Sequence, residues 1–443
     1  MSLRQPDAAA GGRLRAPLLF AAMAALVAIE AATGGWNTAL GIVNMGLISA
    51  VLALGVNMQW GYAGLFNTGI VGFLALGGLA PVLIAMPPTP GAFAGGGPGI
   101  ALAALVALAS VIAAIAVNRR LRGRPRAIAI IAILVAGFFA YRALFDRAVA
   151  VIQAINPSAQ GNLGGLGLPV LLAWPVGALF AAGAAWIIGK TALGLRSDYL
   201  AIATLGIGEI IVAVLRNEEW LSRGVMNVNG IPRPWPVPYE VQLQADPAFV
   251  SRMAGLGVDP VTGSTIMVKL LYTGLFLVVL LALIWAAQMA LKSPWGRMMR
   301  AIRDNEIAAA AMGKDVTRRH LQIFVIGSAV CGLAGAMMIT LDGQMTPGSY
   351  NPLRYTFLIW VMVIVGGSGN NWGSVLGGML IWYLWIKAEA WGPVLMSFLT
   401  AGMAEGALKS HLLDSAAHMR LFTMGLILLL VLRFAPRGLL PEK

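Results

Sequence analysis

The stretch IMVKLLYTGLFLVVLLALIWAAQM, residues 266–289, decides the fold. A helix rises 1.5 Å per residue, so about 20 mostly apolar residues cross a hydrocarbon layer of about 30 Å. This run is long enough to do so. Working outward from it, comparable runs lie at 16–35, 39–59, 65–85, 100–117, 127–145, 170–188 and 199–215 on one side, and at 321–341, 354–366, 373–391 and 419–434 on the other. Three depart from a plain span: 65–85 is rich in glycine, 199–215 is short, and 354–366 is too short for the full thickness. The expected fold is an all-α, polytopic integral membrane protein with about 10–12 membrane segments, short or broken helices included.

Composition supports this. The 443 residues are 59% hydrophobic and 11% charged, against about 25% charged in an average soluble domain. The mean hydropathy is +0.80. A soluble protein so poor in charge could not cover its surface, whereas a lipid-facing surface should be apolar. The 54 glycines agree, because glycine lets membrane helices approach closely. The net charge of +13 would point to nucleic acid in a soluble chain. Here the basic residues sit mainly in short loops, so they read as topology signals and nucleic acid is excluded as a partner.

Residues 118–126 (NRRLRGRPR) carry five arginines, and 289–320 carries seven Lys/Arg against three Asp/Glu. Both should be cytoplasmic. The proline-rich segment 217–265, with five acids and three arginines, should face outward. Alternating the runs from a cytoplasmic N-terminus satisfies all three, and places Arg433, Arg437 and Lys443 inside as well. Arg4, Arg13 and Arg15 before the apolar stretch 16–32 resemble a signal peptide. An uncleaved first span is the simpler expectation, since a second apolar run follows at once. The chain is expected to be multi-pass, with both termini cytoplasmic.

Chemistry of other kinds leaves no motif. The nearest approach to a P-loop is Gly189-Lys190-Thr191, but Ala184 stands where its first glycine belongs, on an apolar helix rather than after a strand. No catalytic set, cofactor motif or zinc spacing is present; His320, His411 and His418 lie in or near loops, and Cys331 reads as a small packing residue. Ionisable residues inside spans are costly and tend to be functional. The candidates Glu30, Glu209, Asp342, Lys387 and Glu389 are a thin set for a proton relay. Glu209 looks the most interior, and Glu30 and Asp342 fall near helix ends.

Two segments draw attention. GYAGLFNTGIVGFLALGG, 61–78, combines frequent glycine with Asn67 and Thr68. It reads either as a broken or re-entrant element lining a pathway or as tight packing through small residues. The second is SPWGRMMRAIRDNEIAAAAMGKDVTRRHLQIF, 293–324. Pro294 precedes a helix from about Arg297 to Met312, and Gly313 stops it. Met298, Ala301, Ile302, Ala308 and Met312 would form one face, with Arg300, Arg303, Asp304 and Glu306 opposite. Such a helix either docks into a partner's groove or rests on lipid headgroups.

Residues 293–337 resemble the cytoplasmic loop and following helix of Liv-type permeases, whose pattern is roughly P-x-G-R-x-x-x-A-I-R-x-x-E-x-A-A-x-x-x-G. LRSDYLAIATLGIGEII, 195–211, is similar to the family's L-R-G-D-Y-L-A-I-x-T-L-G-F-G-E-I, with Ser197 for glycine. Residues 227–231 resemble its G-G-x-x-G-I without the early glycines, and RFAPRGLLP, 433–441, its R-P-x-G-L-L-P. The chain departs from the family block G-x-x-S-L-G-H-x-x-F at 64–70, where Ile70 replaces the usual histidine. It also departs in what looks like an extra helical hairpin at 100–145 and a long outer loop at 392–418.

The resemblance implies one transmembrane permease domain over 1–443 in a bacterial inner (plasma) membrane, with 217–265 as periplasmic loop and 289–320 as cytoplasmic coupling loop. It implies an ABC importer permease for branched-chain or other neutral amino acids; urea or short amides are the alternative solutes, and an autonomous secondary carrier or channel the alternative mechanism. A coupling helix of Arg297, Arg300, Arg303, Asp304, Glu306, Ala309 and Gly313 would meet one of two cytoplasmic ATPase subunits. Asn67, Thr68, Asp198, Tyr199, Thr204 and Glu209 would belong to the pathway. A related second permease subunit, a periplasmic solute-binding protein and the lipid bilayer complete the implied partners.

Overall fold

The structure is a computed structural model that describes residues 8–155, 161–403 and 406–442. Arg4 and Lys443, which entered the topology argument, lie outside the described residues. The described chain is almost entirely helical. Helices α1 (Ala8–Gly34), α2 (Trp36–Ala63), α3 (Ile70–Ala85), α4 (Ala92–Arg120), α5 (Arg124–Gln153), α6 (Ala173–Ala192) and α7 (Ser197–Asn217) follow in order, with the longest gap, 154–172, between α5 and α6. A connecting segment then carries α8 (Glu219–Ser222), strand β1 (Val228–Asn229), α9 (Glu240–Ala245) and α10 (Pro247–Gly255). Helix α11 (Pro260–Lys292) leads into α12 (Pro294–Asp304), α13 (Glu306–Ala311) and α14 (Val316–Asp342). Strand β2 (Gln344–Met345), a π-turn at Leu353–Phe357, α15 (Leu358–Gly366), α16 (Asn371–Thr400), α17 (Ala407–Asp414) and α18 (Met419–Phe434) complete the order.

Each of the twelve apolar runs overlaps one of these helices, although 65–69 is not helical and 354–357 lies in the π-turn. Among the described residues eight helices are long and apolar enough to cross a bilayer; the bent pair α17–α18 would make a ninth broken span, and Ile70–Ala85 and Arg354–Gly366 are shorter apolar helices. This is an all-α polytopic membrane protein. Residues 92–153 form a two-helix hairpin packed on itself, longer than the 100–145 boundaries suggested. The outer loop expected at 392–418 is mostly helix instead: α16 continues to Thr400, and α17 follows. Apolar composition persists through Pro393, so the helix does not stop where the hydropathy dips.

Helices α2, α3 and α14 form the centre, and α6, α11, α15 and α16 surround them. Glycine permits the α3–α14 crossing. A Cβ at Gly77 would collide with the Gly332 backbone, and one at Gly335 with the Leu74 carbonyl. Backbones this close maximise dispersion contacts, the main attraction available between helices in lipid. The short strands pair antiparallel, Val228 opposite Met345, which ties the 217–259 segment to the end of α14. That segment lies at one end of the molecule; α12 and α13 lie at the other, called below the basic end.

Glu30, near the end of α1, is buried at 4% exposure and paired with Lys387 of α16. A buried charge needs such a partner.

Candidate functional site

The basic end is built around the break between α2 and α3. Helix α2 stops because Gly64 adopts a left-handed conformation (φ +70°), and its N–H donates to the Trp60 carbonyl at 2.8 Å. Residues 64–69 are not helical, yet Leu65 and Asn67 are buried. Irregular backbone at this depth must find partners inside the protein. Asn67 donates to Gln59 Oε1 (2.8 Å) and accepts from the Gly69 N–H (2.9 Å). Gln59 donates to the Phe324 carbonyl (2.9 Å) and to Ser328 (3.0 Å) on α14. The Thr68 N–H donates to Thr204 of α7 (3.1 Å), and the Trp360 indole of α15 donates to the Asn67 carbonyl (3.0 Å). A break and close packing are both present in 61–78, at different residues: 64–69 is not helical, and Gly72, Gly77 and Gly78 make close helix contacts.

Of the six pathway candidates, the fold brings together Asn67, Thr68 and Thr204. It does not bring Asp198, Tyr199 or Glu209 to them. Asp198 and Tyr199 are exposed in the first turn of α7. Glu209 sits mid-helix on the exposed side, in line with Leu205 and next to Ile210, and no hydrogen bond or ion pair among the described residues reaches it.

Beside this break lies the 293–315 loop. Ser293 caps α12 by accepting from the Gly296 N–H (3.4 Å), with Pro294 following at the first helical position. The single helix expected from Arg297 to Met312 is two. Asn305 is extended (φ −156°, ψ 97°), and its side chain accepts from the Ala308 N–H at 2.9 Å, capping α13. Asparagine competes well for backbone donors, so it starts a new helix rather than continuing the old one. The break changes the buried face. Gly296, Met299 and Ile302 pack inward with Ala309, whereas Ala301 and Ala308 are exposed, and Met312 and Ile307 stand 78% and 83% exposed.

The charged residues also differ from a simple outward face. Arg303 points inward, donating to the Gly61 carbonyl at the end of α2 and to Glu442 Oε2 at 2.7 Å; it also meets Asp304 at 3.3 Å. Burial opposes its charge, but the hydrogen bond and charge of Glu442, with those of Asp304, raise its pKa above the ordinary arginine value. Arg297 and Arg300 turn back onto the Lys292 and Leu291 carbonyls at 3.2 and 3.4 Å. Asp304 and Glu306 are exposed, and Gly313 (φ +75°) ends α13. A continuous set of contacts thus runs from α12 through Arg303 to α2, and from the 64–69 break to α7, α14 and α15.

Residues 143–432 match the family described as branched-chain amino acid transport system / permease component. The chain belongs to that family. It is similar to the high-affinity branched-chain amino acid transport system permease protein LivM of Escherichia coli, 32% identical over 210 residues, 47% of this chain and 48% of that protein. It is 26% identical to the probable branched-chain amino acid transport permease protein LivM of Methanocaldococcus jannaschii over 89% of this chain and 90% of that one. A fructose import permease protein, FrcC of Rhizobium meliloti, is 26% identical over 114 residues. The matched stretch spans about half the length of the bacterial LivM relatives. No solved structure matches the chain.

The family match leaves α1 to α4 outside it and includes α7, the 293–315 loop and α18. The RGLLP block has a visible part in the fold: the Leu439 and Leu440 N–H groups donate to the Val365 and Gly366 carbonyls at 2.8 and 2.9 Å, and this brings Glu442 to Arg303. Sequence reasoning passed over Gln59, Trp360 and Glu442. An amide inside the apolar run 39–59 was the available signal for the first; the others leave no local trace.

Proposed function

We propose that this chain is the membrane-spanning permease subunit of an ATP-driven importer for branched-chain or other neutral amino acids, with nucleotide hydrolysis on two separate cytoplasmic ATPase subunits. The observation that carries this is the 293–315 loop. Its inner face is held firmly by Met299, Ile302 and Arg303, while Ile307 and Met312 present bare apolar surface beside Asp304 and Glu306. Exposed apolar side chains rimmed by charge suit a protein groove, and the acids disfavour anionic headgroups. Movement of an ATPase at α13 passes through Arg303 to the α2–α3 break and on to α7, the direct route from the loop to the spans.

On this reading the basic end is cytoplasmic, the 217–259 segment is periplasmic, and that segment receives the solute from a binding protein. Glu209 supports a second permease subunit. A carboxylate on the exposed face of a mid-membrane helix is costly against lipid, and a paired subunit with a polar pathway between them relieves that cost.

The test is reconstitution with the two ATPases, the paired permease and the binding protein. Leucine uptake should require ATP and the binding protein. Ile307→Asp should insert normally but weaken ATPase retention about tenfold or more, as removal of an apolar anchor does. Uptake by this chain alone, driven by an ion gradient, would refute the importer reading.

A further inference from the structure

At the end of the molecule opposite α12, a cavity of about 420 Å³ opens between α2, α14, the π-turn and α16. Its volume falls in the range of small-molecule sites, roughly 300–1,000 Å³. Asp342, the last residue of α14, and Arg354, in the π-turn, both line it. They carry opposite charges, yet among the described residues no ion pair joins them to each other or to any other charge. Asp342 is exposed, and the Arg354 Nε is buried without a hydrogen-bond acceptor. The Arg354 guanidinium is held in place by aromatic faces, 5.0 Å from the Tyr355 ring centroid and 5.3 Å from that of Trp382. Met45 and Leu341 supply apolar wall.

A buried guanidinium nitrogen without an acceptor is expensive, and such a group calls for an explanation, a bound ligand being one. The backbone agrees: π-turns are rare and concentrate at functional sites, and this one presents Arg354 and Tyr355 to the same cavity.

We propose that the cavity is a transit subsite for the head group of a zwitterionic α-amino acid. Arg354 takes the carboxylate in its planar fork, Asp342 takes the ammonium, and the Met45 and Leu341 side receives an apolar side chain. The proposal rests on the importer reading above and narrows its solute class. Urea and short amides carry no net charge on either end and leave both groups unsatisfied.

Because Cys331 is buried, Ser349→Cys at the exposed rim of the cavity places a single accessible thiol on the chain. The permease complex without binding protein is labelled with a small polar maleimide, alone and with leucine, leucinamide or 4-methylpentanoate. Leucine should slow labelling, while leucinamide (no carboxylate) and 4-methylpentanoate (no ammonium) should not. Asp342→Asn or Arg354→Gln should raise the leucine concentration needed for protection by about tenfold or more, the loss of one charge-assisted hydrogen bond. Asp342 is at the rim, so its variant remains informative where Arg354→Gln folds poorly. Equal protection by all three compounds, or protection unchanged in D342N, overturns the subsite. ATP-dependent leucine uptake measured on the same S349C complex separates the two claims: uptake without protection removes the subsite and leaves the importer standing, and absence of uptake removes the importer reading.

Discussion

Arg303 shows how a residue's part is decided by where its side chain goes. Its place in the loop pattern suits an outward, ATPase-facing charge, but it reaches inward to Gly61 and Glu442. Reversing its charge would therefore damage the permease itself, and does not test docking. Removing its charge leaves a carbonyl and a carboxylate short of a donor. Arg303→Gln should lower stability by about 1–2 kcal/mol, the range for a charge-assisted hydrogen bond reduced by partial exposure. It should also free the C-terminal residues. Melting in detergent and carboxypeptidase release of 439–442 measure both, and an unchanged release rate would show that the pair does not hold the tail.

At the scale of elements, the two breaks matter most. Helix α13 has six residues, too few to persist alone. The Asn305 cap and the inward packing of Ala309 maintain it. Asn305→Ala should cost about 1 kcal/mol, which corresponds to roughly fivefold faster hydrogen exchange at 308–311 if the helix opens locally. Exchange at the wild-type rate would mean that packing alone suffices. The 64–69 break depends on a polar network whose members satisfy one another. Gln59→Leu removes the acceptor of Asn67 and the donor to Phe324 and Ser328, and a buried polar group left unpaired costs about 1–3 kcal/mol. The expected outcome is a lower melting temperature with loss of uptake; retained uptake in Q59L would separate the break from transport.

At the scale of the whole molecule, the antiparallel passage of helices places 118–126 with the basic end and 217–259 at the other. Thiol reporters test this in intact cells against the buried Cys331 background. Arg122→Cys should label only after the membrane is opened, and Val241→Cys, exposed on α9, from outside. The reverse pattern would invert the topology.

Hydropathy by itself determined that the chain is a helical membrane protein and roughly where its long apolar helices lie, because helix length and apolar content are local properties. The family blocks were equally local, and they located the loop between α11 and α14. Packing was not legible. Lipid and protein interior are both apolar, so α2 and α5 are similarly apolar, although most of α2 is buried inside the protein and most of α5 is exposed. Nor could spacing show which polar groups meet. Thr68 and Thr204 lie 136 positions apart, and Asp342 and Arg354 converge only because a strand and a π-turn fold the intervening chain back. Those meetings depend on which helix faces touch, and only the tertiary structure decides that.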